Sequence, residues 1–387
     1  MVDSMHVGIA GGGLLGRLLA WRLAAAGHRV SVFDTALGPE PVPRSQAPEP
    51  YVPTAAGFTA AGMLSPLAEL DNAEPAVAAL GWRSLALWRG ITAGLPGNPG
   101  FASRGSLLVA HRADLGAAQR VLDRLQAATA TPEWRLASPA EGVQPLDAAA
   151  LRALEPAVQG PSHAWLLSGE GQIDTVAALR ALYAGTEGAA WHWGMQVLAV
   201  QGGARGGTLH LADGRVLAFD AVVDVRGVGA KPALPVRGVR GEVIWLHCPD
   251  HGLTRPARLL HPRHRVYVVP RSAQDVLVGA SEIESEDRSP VSLRSATELM
   301  AAAHSVVPVL AEARILKLDV NLRPALPDNA PHTEHGERLL RINGLFRHGW
   351  LLAPALVDAA LRHNGWADGG LASESIAACG RQEPATA

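Results

Sequence analysis

The sequence predicts a chain of mixed fold class, in which an α/β domain with a parallel sheet is interleaved with an α+β domain built on a mixed antiparallel sheet. Three observations lead to this prediction. The chain has 387 residues, of which 48% are hydrophobic, and this is more than one ordinary core accommodates. It opens with a β-α-β pattern and then passes through a series of short β segments. Near its end it returns to a helix that could pack on the first sheet.

The opening pattern is the clearest. Residues 6–10 form a short apolar run, which predicts a buried parallel strand. Residues 14–26 predict a helix that ends at Gly27, and residues 29–33 predict a second strand that ends at Asp34. Together they predict a βαβ unit of about 30 residues, the usual size for such a unit.

The remaining elements follow from periodicity and turn residues. Prolines exclude regular structure from residues 38–53, where we expect an irregular surface loop, and we expect a disordered tail over 368–387. Helices are predicted over residues 72–95, 113–127, 146–154, 175–184, 292–304 and 353–362. Strands are predicted over residues 105–110, 239–247, 256–261, 265–270, 275–280, 313–322 and 339–343, with further short strands within 191–225. The predicted dinucleotide-binding domain comprises residues 5–90, 160–234 and 316–367, and the predicted substrate domain comprises residues 91–159 and 235–315.

Composition excludes several function classes. A net charge of -2 gives no electrostatic reason to expect nucleic acid as a partner. Two cysteines, Cys248 and Cys379, exclude a disulfide framework and a four-cysteine metal site. The two lysines, Lys231 and Lys317, lie in no P-loop or Schiff-base context. No apolar stretch is long enough to span a membrane, and no signal peptide is evident, so we expect a cytoplasmic protein.

A glycine-rich motif follows the first predicted strand. Gly11-Gly12-Gly13-Leu14-Leu15-Gly16 matches the GxGxxG fingerprint of dinucleotide-binding folds. In that fingerprint the first glycine permits a tight turn, the second lets a pyrophosphate approach, and the third allows close packing of helix and strand. Asp34 ends the second strand at the position of a ribose-binding acid. The opening unit is therefore predicted to be a Rossmann-like dinucleotide-binding fold.

Segments further along the chain indicate which dinucleotide to expect. Thr59-Ala60-Ala61-Gly62-Met63-Leu64-Ser65-Pro66 is followed by Glu69. This stretch closely resembles the AAGML segment of the glycine oxidases of thiamine biosynthesis, FAD enzymes of the D-amino acid oxidase superfamily. Other segments resemble the same family in the same order: Gly171-Gln172-Ile173-Asp174, Val236-Arg237-Gly238-Val239-Arg240-Gly241-Glu242, Tyr267-Val268-Val269-Pro270-Arg271, Gly279-Ala280-Ser281, Leu322-Arg323-Pro324 and Phe346-Arg347-His348-Gly349-Trp350-Leu351-Leu352-Ala353-Pro354.

The resemblance implies site residues as well as a cofactor. We expect FAD to bind without a covalent link, because neither cysteine falls in a flavin motif. The implied FAD contacts are Gly11, Gly13, Leu14, Leu15, Gly16, Asp34, Thr35, Ala61, Gly62, Met63, Val197, Leu345, Phe346, Arg347, His348, Gly349, Trp350 and Leu351. The implied substrate contacts are Tyr267, Arg323 and Arg347, since arginine suits a substrate carboxylate. No residue is assigned as a general acid or base, because hydride transfer to flavin N5 requires mainly orientation.

The implied reaction is the oxidative deamination of glycine or a related small amine or D-amino acid. Oxygen would reoxidise the flavin and yield hydrogen peroxide, and the imine would hydrolyse to a 2-oxo acid and ammonia. Two alternatives stay open: a dehydrogenase of the same superfamily that passes electrons to a quinone or protein, and an FAD-binding partner protein without turnover. The family is often oligomeric, so a homo-oligomer is compatible with the resemblance, but no sequence feature sets its size.

Several features depart from the family pattern. Arg226 is a bulky residue beside the expected dinucleotide site, and Glu282 places a carboxylate near the expected substrate pocket. His348 replaces a smaller polar residue near the flavin. The histidine pairs within residues 261–264 and 332–335 do not match HExxH, so we expect no metal site.

Overall fold

The structure is a computed structural model, which describes residues 4–42, 54–129, 142–261 and 265–367. Most of the predicted proline-rich loop and the whole of the predicted tail lie outside these ranges. So does part of the histidine pair within 261–264. Within the described ranges, no helix combines the length and the apolar character needed to cross a membrane.

Helices and strands alternate along the first part of the chain, and strands dominate the middle. The strands are β1 His6–Ala10, β2 Arg29–Asp34, β3 Met63–Leu64, β4 Ser106–Ala110, β5 Val143–Leu146, β6 His163–Leu167, β7 Gly171–Gln172, β8 Ala190–Trp193, β9 Val197–Gly203, β10 Gly206–Leu211, β11 Val216–Phe219, β12 Ala221–Asp224, β13 Arg237–His247, β14 Ala257–Leu260, β15 Arg265–Pro270, β16 Asp275–Gly279, β17 Arg314–Ala325, β18 His332–Gly336 and β19 Leu339–Asn343. The helices are α1 Leu14–Ala25, α2 Pro66–Glu69, α3 Pro75–Gly94, α4 Leu115–Thr129, α5 Ala148–Leu154, α6 Thr175–Ala184, α7 Leu293–Val306 and α8 Gly349–His363.

A six-stranded sheet has the order β18-β19-β12-β1-β2-β8 and is parallel apart from β18. Its central strand β1 is apolar because both of its faces are covered; Val7 and Ile9 are fully buried. The C-terminal strand β19 pairs beside β12, so the end of the chain completes a sheet that the beginning of the chain starts. Helix α8 packs on α1 and α3 next to this sheet. The predicted return of the last helix to the first sheet is confirmed.

An eight-stranded sheet has the order β17-β13-β16-β15-β14-β4-β6-β5. Its pairs are antiparallel except β14 with β4, as the prediction of a mixed antiparallel sheet requires. Helix α7 packs against β13, β15 and β16 and covers one face of the sheet. The fold class predicted from the sequence is therefore confirmed, and the two sheets supply the framework for one shared cavity.

The sheets divide the chain differently from the predicted domain limits at two places. β6 and β17 belong to the eight-stranded sheet, although most of their residues fall in segments assigned to the dinucleotide-binding domain. The division into two domains stays a prediction. The sheets show only which strands are hydrogen-bonded to one another.

Two predicted helix starts, near residues 146 and 353, are wrong for identifiable reasons. Residues 143–146 form a strand, and the helix that was predicted from residue 146 begins after Asp147, whose side chain caps it by accepting from the N–H groups of Ala149 and Ala150. The strands β6 and β18 were not predicted, because neither shows a clear alternation of apolar and polar residues.

The last helix begins at Gly349 rather than near residue 353, and it contains Pro354. Proline removes one helical hydrogen bond and usually limits a helix. Here the carbonyl of Trp350, which loses that bond, accepts from the indole N–H of Trp88 at 2.9 Å. The next amide, of Ala355, donates to the hydroxyl of Ser84 at 3.1 Å. Packing against α3 therefore compensates the proline and lets the helix start next to the cavity.

Candidate active site

A cavity of about 1530 Å³ is lined by residues from both sheets. On one side lie the glycine-rich turn after β1, the end of β2 and the start of α8. On the other side lie inner residues of β13, β15 and β17. A cavity of this volume is suitable for a dinucleotide together with a small substrate.

The glycine-rich turn provides a surface of backbone next to the cavity. Gly11 has φ +108°, and a Cβ there would lie 2.6 Å from the carbonyl oxygen of Val225. A Cβ on Gly16 would lie 1.8 Å from the carbonyl oxygen of Gly11. At Gly13 the nearest neighbour of such a Cβ would be the methyl group of Ala55, at 3.4 Å. The first and third glycines thus permit the turn and the close packing, while the second leaves its backbone open to a ligand.

Asp34 lies beside this turn with its carboxylate held in one orientation. One oxygen accepts from the N–H of Gly12 at 2.6 Å, and the other accepts from the N–H of Ala36 at 2.7 Å. Each oxygen keeps a second lone pair for a ligand hydroxyl. Both Asp34 and Thr35 line the cavity. This is the arrangement that a ribose-binding acid needs.

Arg17 fixes the outer side of the turn, and sequence reasoning missed it. Its side chain is 1% exposed. It donates to the carbonyls of Gly12, Leu179 and Pro39 at 2.9, 2.7 and 2.7 Å. Burial lowers the pKa of Arg17 to about 10, so it stays charged at neutral pH. The rings whose centroids lie within 6.0 Å of its guanidinium are those of Phe58, Tyr183, Trp191 and Trp193. The available signal was a charged residue in a mostly apolar helix, in which Arg22 is the other charge.

Arg226 forms a second buried cation near the turn. It pairs with Asp224 at 2.7 Å, and it donates to the carbonyl of Val197 at 2.8 Å. Val197 was expected to contact the adenosine part of the cofactor through its backbone. Its carbonyl already accepts from Arg226, and the neighbouring Gln196 lines the cavity instead. Among the expected cofactor contacts, Gly16, Val197 and Leu351 are not part of the cavity lining.

The segment that contains Ala61, Gly62 and Met63 forms one wall of the cavity. Gly62 has φ +66°, and a Cβ there would lie 2.1 Å from the carbonyl oxygen of Ile173. The buried guanidinium of Arg271 donates to the carbonyl of Ala60 at 3.0 Å and to that of Ile173 at 2.8 Å. This arginine belongs to a segment that resembles the family, but sequence reasoning assigned it no role. It holds the wall in place.

The loop before α8 faces the same wall. Leu345 to Trp350 all line the cavity, and Phe346 adopts a φ of +48°. The helix begins within this loop, at Gly349, where a Cβ would meet no atom within 4 Å. Its free N–H groups and the positive end of its dipole lie at the cavity, closer to it than the predicted helix start would have placed them.

These residues fit FAD. Backbone stripped of side chains at Gly13, an oriented acid at Asp34 and a helix N-terminus at Gly349 lie along one cavity. Together they match a pyrophosphate, a ribose and the electron-rich end of a flavin, in that order.

Arg323 and Tyr267 lie on the opposite sheet. Two nitrogens of the Arg323 guanidinium donate to the carbonyl of Ser281, both at 3.1 Å. The group has no acidic partner among the described residues. The Tyr267 ring packs on Gly279, where a Cβ would lie 2.7 Å from it. Burial raises the pKa of Tyr267, while Arg323 and three further arginines offset part of this effect. The phenol is therefore neutral at physiological pH and able to donate a hydrogen bond.

Arg347 lies close by but is already paired. It approaches one oxygen of Glu69 with Nη2 at 2.7 Å and Nε at 3.1 Å, and it lies 3.5 Å from Glu282. The other oxygen of Glu69 is 3.1 Å from Arg258, and His348 Nδ1 lies 3.3 Å from Glu69. Burial alone would raise the pKa of Glu69, but Arg347 and Arg258 hold it well below its ordinary value. Sequence reasoning did not find this buried cluster.

No group of three potential metal ligands occurs in the parts of the chain that the structure describes. The histidine pair within residues 332–335 lies on strand β18. There Glu334 pairs with Arg341, and His335 hydrogen-bonds to the side chain of Asn364.

Known proteins resemble this chain over nearly its whole length. The family of FAD dependent oxidoreductases known as DAO matches residues 6–359. A protein of Rhizobium etli that carries the name of a thiamine biosynthesis oxidoreductase, ThiO, is 36% identical over 360 residues, which are 92% of this chain and 96% of that protein. A glycine oxidase of Geobacillus kaustophilus is 27% identical over 92% of this chain and 91% of its own length. A crystal structure of glycine oxidase from Geobacillus kaustophilus shares the fold with a TM-score of 0.75 at 24% identity, over 96% of this chain and 97% of that one. Both the match over residues 6–359 and the identity to the Rhizobium protein show that the chain belongs to the DAO family of FAD dependent oxidoreductases.

Proposed function

We propose that this FAD enzyme oxidatively deaminates glycine or a closely related small amine, and that Arg323 binds the substrate carboxylate. The observation that carries the proposal is the state of Arg323. It is a half-buried cation that lines the cavity, and it has only carbonyl partners among the described residues. A planar guanidinium in that state favours a carboxylate ligand.

Tyr267 and Arg347 complete the substrate end in different ways. Tyr267 carries a neutral hydroxyl with no hydrogen-bond partner within the described chain, and it lines the cavity with Arg323. It is suited to donate to the same carboxylate. Arg347 is held by Glu69, so we assign it a positioning role rather than the main carboxylate contact. We therefore propose that, of the two arginines predicted from the sequence, Arg323 binds the carboxylate and Arg347 positions the site.

When bound, FAD supplies the hydride acceptor, and the chain supplies binding and orientation. Anchoring the carboxylate at Arg323 fixes the substrate α-carbon relative to the wall formed by residues 345–350. The overall proposed reaction converts an amine and water to a 2-oxo acid and ammonia, while oxygen is reduced to hydrogen peroxide. No acidic or basic side chain needs to take part in the hydride step.

A place in thiamine biosynthesis is part of the proposal. It rests on the relative that is named for this pathway and is 36% identical over 92% of this chain. The expected partners are a small amino acid or amine and molecular oxygen. A homo-oligomeric state remains a prediction of the resemblance.

The proposal is tested by product stoichiometry. FAD-loaded protein is incubated with glycine, N-methylglycine or D-alanine, and oxygen uptake, hydrogen peroxide and the 2-oxo acid are measured. With at least one substrate we expect equal molar amounts of oxygen consumed, hydrogen peroxide formed and 2-oxo acid formed. Reduction of an artificial dye without oxygen uptake would instead identify a dehydrogenase. Bound FAD that stays oxidised with every amine would identify a flavin-binding protein without turnover.

A further inference from the structure

The charges around the substrate end do not all have fixed partners. Glu69 is buried, at 12% exposure, and is held by two arginines. Glu282 also lines the cavity, but its side chain is 49% exposed. Among the described residues its side chain contacts one charged group, Arg347 Nη1 at 3.5 Å, compared with 2.7 Å between Glu69 and the same arginine. Glu282 is therefore a loosely paired carboxylate beside the arginines of the site.

The backbone that carries Glu282 is nevertheless firmly held. Its neighbours Ser281 and Ile283 donate their N–H groups to the carbonyls of Glu242 and Arg240 on strand β13, at 3.2 and 3.0 Å. The Ser281 hydroxyl donates to the buried carboxylate of Glu242 at 2.9 Å. In an extended segment successive side chains point to opposite sides. Since Ser281 points to Glu242, Glu282 points away from it and into the cavity.

Buried ion pairing holds the rest of this loop as well. Arg240 and Glu242 are 4% and 0% exposed and lie 2.7 Å apart. Arg240 also donates to the carbonyls of Asp287 and Ser289 at 2.7 and 2.9 Å. The carbonyl of Ser281, in the same segment, is the acceptor for Arg323. Glu282 thus directly follows the residue whose carbonyl binds Arg323, and its own side chain contacts Arg347.

We propose that Glu282 determines substrate class: it restricts the site to amines that carry a single carboxylate and disfavours those that carry a second one. This inference rests on the proposed function and deepens it. Arg323 can bind one substrate carboxylate. A second carboxylate would have to approach Arg347, whose outer nitrogen faces Glu282, and like charges would repel there.

The test compares one monocarboxylate with one dicarboxylate. The amines are N-methylglycine and iminodiacetate, which share a secondary amine and differ by one carboxylate. In Glu282→Gln we expect the ratio of kcat/KM for iminodiacetate to that for N-methylglycine to rise about tenfold, because a half-exposed like charge is removed. The matched control is Glu284→Gln, which makes the same charge change two residues away, in a side chain that is 65% exposed and pairs with Arg237. This control should leave the ratio unchanged.

A second measurement keeps the inference separate from the proposed reaction. Acetate and malonate are titrated into FAD-loaded protein, and their dissociation constants are read from the perturbation of the flavin spectrum. Glu282→Gln should strengthen malonate binding relative to acetate binding by a similar factor. Added salt should reduce the difference in this binding ratio between the variant and the wild type. If no amine reduces the flavin, the proposed function fails while this titration still tests Glu282. An unchanged malonate-to-acetate ratio, or an equal change in Glu284→Gln, would overturn the inference.

Discussion

The two ends of the cavity are built by different means. The dinucleotide end depends on backbone: Gly11, Gly13 and Gly16 lie within six residues, steric limits exclude a side chain at Gly11 and Gly16, and Gly13 leaves its backbone open to a ligand. The substrate end depends on charged and polar side chains from widely separated segments. Those side chains are Glu69, Arg258, Tyr267, Glu282, Arg323 and Arg347. Steric limits therefore constrain the dinucleotide end, while the pairing of charged side chains constrains the substrate end.

The largest effect is expected where space is the limit. In Gly16→Ala the new Cβ would lie 1.8 Å from the carbonyl oxygen of Gly11, so turn and helix cannot keep their present approach. We expect purified protein that lacks bound flavin and unfolds at a clearly lower temperature. The measurements are visible flavin absorbance and thermal unfolding.

Gly116→Ala is the control for that change. Gly116 lies in the first turn of α4, and a Cβ there would meet no atom within 4 Å. Alanine should stabilise the helix by up to about 1 kcal/mol and leave flavin content unchanged. A Gly16→Ala protein that binds FAD as tightly as wild type would contradict the steric account of the dinucleotide end.

At the substrate end, the largest expected effect is on stability. Glu69→Gln leaves the buried guanidinium groups of Arg347 and Arg258 without their carboxylate. Removing one partner of a buried ion pair typically costs about 3–5 kcal/mol. We expect a lower unfolding temperature, whereas Glu40→Gln, in a half-exposed pair with Arg180, should change stability by less than about 1 kcal/mol. Equal effects in the two variants would show that the Glu69 cluster does not stabilise the site.

Arg323→Ala should separate substrate binding from flavin binding. We expect KM for the amine to rise by about 100-fold, because a bidentate charged contact is lost, while the spectrum of bound FAD stays the same. Arg323→Lys should recover only part of the loss, since an ammonium group cannot form the two parallel hydrogen bonds. A KM for Arg323→Ala that equals the wild-type value would remove the carboxylate assignment.

The last expected effect depends on pH and involves a second buried carboxyl, that of Glu170. Glu170 accepts from the N–H of Ala68 at 2.9 Å, and burial raises its pKa to about 7. Between about pH 4.5 and 7 the unfolded chain releases this proton while the folded chain keeps it, so stability falls by up to about 1.4 kcal/mol per pH unit as pH rises. Above pH 7 the contribution is constant.

Glu170→Gln cannot ionise and should escape that loss. We expect the unfolding temperature of the variant to rise relative to that of the wild type as the pH increases from 5 to 8. Glu69 works in the opposite direction: its pKa is lowered, so its stabilisation is present above its ordinary pKa and disappears only as pH falls through the lower value. A difference between Glu170→Gln and wild type that does not change with pH would exclude a raised pKa for Glu170.

The same contrast explains how much the sequence could predict. The glycine turn and Asp34 were predictable, because local steric rules leave few other residues able to occupy such a turn. Glu69 and Arg347 are far apart in the chain, and no local pattern reports that they meet. Arg17 was visible as a charge in a mostly apolar helix, but the four aromatic rings around it come from three other segments. The start of α8 was missed because the bonds that compensate Pro354 come from α3.

The central claim is that an amine held by its carboxylate at Arg323 reduces the flavin held at the glycine turn. Anaerobic mixing of FAD-loaded protein with glycine, N-methylglycine and D-alanine, followed by visible absorbance, tests it most directly. We expect at least one of these amines to bleach the flavin in wild type. In Arg323→Ala the flavin should bleach only at a much higher concentration of the same amine. A flavin that stays oxidised with all three amines, or that bleaches equally in Arg323→Ala, would contradict the claim.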